Sequence, residues 1–153
     1  AILYREQEMP CFFRGIYATL LSADMATKED ATIITVLSSS DGLDVDNEEM
    51  RMYFSDQCLR IFRMPMEEYV TRLHRWQFPE MDHASIAYPH KTILKKKPTI
   101  LVNEGISAEE ASELGLAYAT GSFEEALESA FHERGRDATI VMIPHYCPLP
   151  LFS

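Results

Sequence analysis

Three short stretches, each directly behind an apolar run, contain the side chains best suited to binding an anion. Residues 38–42 read Ser-Ser-Ser-Asp-Gly, residues 103–105 read Asn-Glu-Gly, and residues 144–146 read Pro-His-Tyr. Hydroxyl and amide groups donate hydrogen bonds to a carboxylate or a phosphate, and a glycine lets backbone N–H groups approach it. A polar turn without a ligand is the alternative interpretation of residues 38–42. The predicted ligand-binding residues of these stretches are Ser39, Ser40, Gly42, Asn103 and His145.

The histidines provide the other candidates for chemistry. None of the five is paired with another at a spacing of three or four residues, so the sequence predicts no metal site held by this chain alone. His83 and His145 lie at predicted boundaries of secondary structure, which makes both candidates for binding a substrate. Residues 41–48 are acidic but lack the glycine and the final glutamate of a calcium loop, so they are interpreted as solvated. No catalytic residue is assigned.

Composition and missing motifs exclude several classes of function. The formal net charge is −10, which argues against a nucleic-acid partner, because phosphate binding needs a clustered basic face. Neither a Gly-x-Gly-x-x-Gly fingerprint, a P-loop nor a Gly-x-Ser-x-Gly elbow is present. The three cysteines form no Cys-x-x-Cys pair, and no apolar run is long enough for a membrane helix. These features predict a cytoplasmic protein without a membrane partner.

The order of strand and helix signals predicts an α/β fold. Buried strands are predicted at residues 31–37, 99–102 and 138–143, with a short fourth at 116–119, because these runs are apolar without polar alternation. Helices are predicted at residues 12–26, 48–61, 66–77 (with Trp76 or Gln77 on the apolar stripe), 83–96, 107–114 and 122–134. Pro89 should kink or divide its helix. Ser-x-x-Glu capping boxes open the last two helices. The result is one Rossmann-like domain over residues 1–153, with a mostly parallel sheet flanked by helices.

A mostly parallel sheet makes a geometric prediction about the candidate residues. The connections after residues 37, 102 and 143 then leave the sheet at one edge, where ligands bind in open α/β folds. Ser40, Asn103 and His145 should therefore share one face of the domain.

The order of motifs in the second half resembles one family, the C-terminal domain of nickel-dependent lactate racemases. Residues 99–116 read as a strand and a short helix ending in Leu-Gly, residues 119–127 contain Ser-Phe-Glu-Glu-Ala-Leu, and residues 137–145 end in Ile-Pro-His. Residues 28–33 and 40–43 are similar to the family's first strand of this domain and its glycine-bearing loop. The resemblance covers residues 20–145.

This resemblance implies that the chain is the C-terminal domain of a longer two-domain isomerase, a racemase of 2-hydroxy acids. In that family the N-terminal domain holds a nickel pincer nucleotide and supplies a histidine acid/base pair. The C-terminal domain would form one wall of the substrate cleft, hold no cofactor alone and be inactive in isolation. Its partners would be the N-terminal domain of the same polypeptide and a small 2-hydroxy acid.

One departure from the family leaves the substrate open. The family's Gln-x-x-Lys motif has no counterpart in residues 13–18, Phe-Arg-Gly-Ile-Tyr-Ala, where Arg14 is the nearest cation. Lactate and a different hydroxy acid both remain possible substrates. Two other classes of function also stay open: a stand-alone α/β module that binds a small anion, and a structural or oligomerisation domain.

Overall fold

A computed structural model describes residues 2–5, 12–37, 56–79 and 81–143 of the chain. Its strands form one sheet in the order β4-β3-β2-β1-β5, and every neighbouring pair is parallel. This arrangement confirms the predicted α/β fold with a parallel sheet flanked by helices. The strands are β1 Ile2–Arg5, β2 Ile33–Leu37, β3 Thr99–Val102, β4 Tyr118–Thr120 and β5 Met142–Ile143.

Six helices connect these strands in the described part of the chain. They are α1 Phe12–Ala26, α2 Asp56–Arg63, α3 Met66–His74, α4 Met81–Lys96, α5 Ala108–Glu113 and α6 Phe123–Arg134. The predicted helix at residues 48–61 is thus seen from residue 56 onward, and residues 48–55 lie outside the described residues.

The helices cover the two faces of the sheet unequally. Leu20 of α1, Phe62 of α2 and Ile93 of α4 are buried in one cluster with Ile33 and Leu101 of the sheet. On the other face, Ala126 of α6 packs with three sheet residues. They are Ile34, Ile100 and Val102. Because β2 and β3 are covered on both faces, neither shows an alternation of polar and apolar residues.

The edges of the sheet differ from the prediction. Strand β1 was not predicted, and β4 begins two residues later than expected. Only Met142 and Ile143 of the predicted strand 138–143 pair with β1. Met142 is 63 % exposed, because β5 is the last strand of the sheet and has no neighbour on its outer side among the described residues. The expectation of burial on both faces is therefore wrong for this strand.

Helix α4 continues through Pro89, so of the two predicted effects division of the helix is wrong, and a kink stays a prediction. Ala87 and His90, on either side of the proline, are fully buried. Tertiary packing of these neighbours compensates for the hydrogen bond that the proline cannot donate.

The ends of the helices show how the elements are fixed to one another. Ser107 and Glu110 form the predicted capping box of α5. At α6, Ser122 Oγ accepts a hydrogen bond from the Glu125 N–H as expected, but the Glu125 carboxylate accepts from the Thr120 hydroxyl instead of completing a box. The competing donor at the end of β4 explains this difference.

A buried lysine joins the ends of α1 and α4. The side chain of Lys97, directly after the end of α4, is buried against α1. Its Nζ lies 2.7 Å from Asp24 Oδ1 and donates to the Asp24 carbonyl at 3.3 Å and to Thr27 Oγ1 at 3.2 Å. Cations stabilise the carbonyl end of a helix, so Lys97 caps α1 from the end of α4. Both helices therefore end at the amino edge of the sheet, where β2 and β3 begin.

Candidate functional site

The carboxyl ends of all five strands lie at one edge of the sheet, because every pair is parallel. We call this the carboxyl edge; Asn103 follows β3 there. Ser39, Ser40, Gly42 and His145, predicted to bind a ligand at this edge, lie outside the described residues. Their contacts with a ligand remain predictions.

The sheet reverses its direction of growth at β1. The chain proceeds from β1 through β2 and β3 to β4 on one side, and then returns to place β5 on the other side of β1. In open α/β sheets, ligands bind at such a switch point, outside the carboxyl ends of the two strands. Sequence reasoning missed this feature because β1 was not recognised. His145 follows the last residue of β5 by two positions in sequence.

Asn103 holds three strand ends together at the carboxyl edge. It is 5 % exposed, and its Nδ2 donates to the carbonyl of Leu37 at the end of β2, at 2.8 Å. Its Oδ1 accepts from the Gly105 N–H at 2.7 Å, and its own N–H donates to the Thr120 carbonyl of β4 at 2.8 Å. The side chain therefore joins the end of β2 to the turn that follows β3, and the backbone N–H joins the end of β3 to β4.

His83 belongs to the beginning of α4. This helix has 16 residues, about 24 Å at the usual rise, whereas the four residues of β3 span about 13 Å. Since Lys97 holds the end of α4 at the amino edge, its first turn reaches toward the carboxyl edge. The structure thus places the backbone of His83 toward the same end of the domain as Asn103.

Trp76, near the beginning of α4, combines a left-handed backbone with an exposed side chain, and sequence reasoning missed it as a site candidate. Either Trp76 or Gln77 was predicted to continue the apolar stripe of its helix. Trp76, the chain's one tryptophan, instead lies beyond the end of α3 and is 77 % exposed. Its φ of 54° is left-handed, a conformation that usually requires glycine. The Gln77 N–H donates to Arg72 O at 3.0 Å and the Trp76 N–H to Leu73 O at 3.2 Å, which is a Schellman motif.

Nothing in the local sequence indicates this geometry, since helical spacing alone puts Trp76 on the apolar face. A bulky residue in the left-handed region costs about 1–2 kcal/mol. Strain and exposure together at one residue are typical of a side chain kept for contact with a ligand or another surface. Because only residues 77–80 separate Trp76 from α4, it lies near the beginning of that helix.

Helices α3 and α4, on either side of Trp76, pack around a small core that also includes Ile61 of α2. Tyr69 is fully buried, and its hydroxyl donates to the carbonyl of Ala84 on α4. Burial, with a smaller contribution from Tyr88, raises the pKa of Tyr69 to about 12. The protonated phenol is therefore the form that joins α3 to α4 at physiological pH.

Lys91 connects α4 to the end of α2. Its Nζ donates to the carbonyls of Phe62 at 2.8 Å and Met64 at 2.9 Å. It also lies 5.7 Å from the ring centroid of Tyr69. Desolvation by burial lowers the pKa of Lys91. Its role in this structure is to satisfy the last carbonyls of α2.

Among the residues that the structure describes, no three His, Cys, Asp or Glu side chains are close enough to hold a metal ion. The described residues therefore do not fit a metal centre. In the same described residues, no helix has the length and apolar character needed to cross a membrane.

A family model described as lactate racemase C-terminal domain matches residues 15–148. The match covers most of the chain, including β2 to β5 and the carboxyl-edge connections after β2 and β3. No curated protein and no solved structure matches the chain.

Proposed function

Because the chain belongs to the lactate racemase C-terminal domain family, we propose that it forms one wall of the substrate cleft in a racemase or epimerase of small 2-hydroxy acids. The family match over residues 15–148 carries this proposal. The family depends on a nickel pincer nucleotide, which the resemblance assigns to a preceding domain of the same polypeptide. In this proposal residues 1–153 are a single domain of a cytoplasmic enzyme and are inactive alone.

The carboxyl edge of the sheet is the surface that faces the substrate in this proposal. Asn103 acts as a positioning residue, since its side chain already bonds Leu37 and Gly105 and sets where the following residues begin. Ser39, Ser40 and Gly42 would donate hydrogen bonds to the carboxylate of the hydroxy acid. His83 and His145 are the titratable groups proposed to border it.

Trp76 has a separate part in the proposed wall. Its exposed ring, held beyond the end of α3, is suited to cover an apolar part of the substrate and to exclude water when the two domains close. This role explains why a strained backbone persists at an exposed position.

Racemisation by the polypeptide that contains this chain tests the proposal. The full-length protein, loaded with its cofactor, is given D- or L-lactate and larger 2-hydroxy acids, and both enantiomers are measured by chiral chromatography. We expect either enantiomer of at least one acid to be converted to a mixture. Failure to convert any acid in the panel would refute the enzymatic proposal.

Two variants separate the cleft wall from a general structural role. Trp76→Ala should raise KM or lower kcat, whereas Arg75→Ala, at the neighbouring exposed position, should change neither by more than about twofold. Equal effects of the two substitutions would remove Trp76 from the wall. Saturable binding of a carboxylate at residues 38–42 of the isolated chain, without racemisation by the full protein, would instead favour the anion-binding module.

A further inference from the structure

A cavity of about 380 Å³ lies at the amino edge of the sheet, the edge opposite Asn103. Ile34 forms its floor, and Leu127 and Phe131 of α6 form one wall. Residues 138–141, which lead into β5, form the other wall. Its volume is within the range of small-molecule sites.

Two cationic side chains line this cavity: Arg134 at the end of α6 and Lys28 before β2. Arg134 Nε donates to Thr32 Oγ1 at 2.7 Å, and the Thr32 hydroxyl donates to Glu133 Oε2 at 2.7 Å. The guanidinium is thus held by its Nε. Within the described residues its two Nη nitrogens have no hydrogen-bond partner, and neither has Lys28 Nζ.

The charges around the cavity favour an anion. Asp30 is the one acidic side chain in the lining, against the two cations. Glu133 lies just outside the lining, with its Oε2 at 3.9 Å from Arg134 Nε, on the Nε side of the guanidinium. A guanidinium fixed at Nε with both Nη groups available matches the two oxygens of a carboxylate. The remaining lining is mainly apolar, with Ile140 and Val141 partly exposed beside it. Such a lining suits the hydrocarbon part of a ligand better than the polar body of a sugar phosphate.

We propose that this cavity binds a small amphipathic carboxylate. The carboxylate lies against the Nη groups of Arg134 with Lys28 beside it, and an apolar body of roughly eight carbons lies between Leu127, Phe131 and Ile140. This site goes beyond the proposed function, because the cavity is at the edge of the sheet away from the proposed cleft wall.

Titration of the ¹⁵N-labelled chain with octanoate, followed by amide chemical shifts, tests the proposal. We expect saturable shifts at Ala130, Arg134, Thr139 and Val141. Octanamide, which has the same apolar body without the charge, should bind at least about tenfold more weakly, as the loss of charge-assisted hydrogen bonds implies. Arg134→Gln should weaken octanoate binding by about tenfold to a hundredfold for the same reason.

Arg75→Gln, which removes an exposed arginine at the end of α3, is the matched control and should leave the affinity for octanoate unchanged. If the Arg134 variant fails to fold, Lys28→Gln, at an exposed position of the lining, tests instead whether a cation contributes to octanoate binding. Absence of saturable shifts up to millimolar octanoate would overturn the proposal. Equal binding of octanoate and octanamide would also overturn it, because the cations would then have no part in recognition.

Discussion

Replacing Asn103 with alanine is the most direct test of how the carboxyl edge of the sheet is held. The substitution removes the side-chain hydrogen bonds to Leu37 O at 2.8 Å and from the Gly105 N–H at 2.7 Å. Each bond contributes about 1 kcal/mol net, and a partner left buried and unsatisfied costs about 1–3 kcal/mol. Since Asn103 is buried, we expect Asn103→Ala to lower the free energy of unfolding by about 2–4 kcal/mol.

Urea unfolding followed by far-ultraviolet circular dichroism measures this loss. With a denaturant slope near 2 kcal/mol per molar, the midpoint should fall by about 1–2 M. Glu104→Ala, at the exposed neighbouring position, should change stability by less than about 0.5 kcal/mol. Asn103→Asp should be destabilised like the alanine variant at neutral pH, because its carboxylate cannot donate to the Leu37 carbonyl. A midpoint of the alanine variant within error of the wild type would refute the assigned role.

Three further outcomes are expected. Trp76→Gly should stabilise the chain by about 0.5–1 kcal/mol, because relief of the left-handed backbone exceeds the entropy that glycine adds to the unfolded state, and should still lower racemisation by the full-length protein. Leu127→Ala should cost about 2 kcal/mol in urea unfolding, the low end for leucine, because the side chain is only partly buried against Ile34 and its neighbours. The pKa of Tyr69 is about 12 in the folded chain against 10.0 ordinarily, so the unfolded state loses its proton first and stability should fall between pH 10 and 12. Tyr69→Phe should flatten that fall; an equally steep loss in this variant would contradict the assignment.

The central strands could be predicted from the sequence because strands buried on both faces consist almost entirely of apolar residues. Residues 33–37 and 99–102 are covered on both faces and contain almost only β-branched and aliphatic side chains. The run at residues 138–143 has the same kind of composition. Only its last two residues, which form β5, pair with β1. Composition reports that a segment favours an extended conformation but not whether a neighbouring strand is available to pair with it.

The parts of the candidate site that could not be predicted depend on contacts distant in sequence. Asn103 was correctly placed at the end of a strand, but its bond to Leu37 joins residues 66 positions apart. Lys97 follows directly on α4, yet its Nζ donates to carbonyls at the end of α1, 70 and 73 positions earlier. Local patterns identify such polar residues and cannot identify their partners.

Two separately packed units support the carboxyl-edge end of the domain, and this arrangement bears on how a cleft wall there could move. Asn103 belongs to the edge of the central sheet, whose core contains Ile33 and Leu101. The segment that carries Trp76 is instead held by the cluster around Tyr69 and Ala84, which lies between α3 and α4 and is distinct from the sheet's own clusters. Elements that pack around separate cores can shift against each other at a lower cost in free energy than strands within one sheet. Because Ile93 fixes the later part of α4 to the sheet core, only the first turns of α4 and the end of α3 with Trp76 depend on the separate cluster, and this is the part of the proposed wall that can adjust to a substrate.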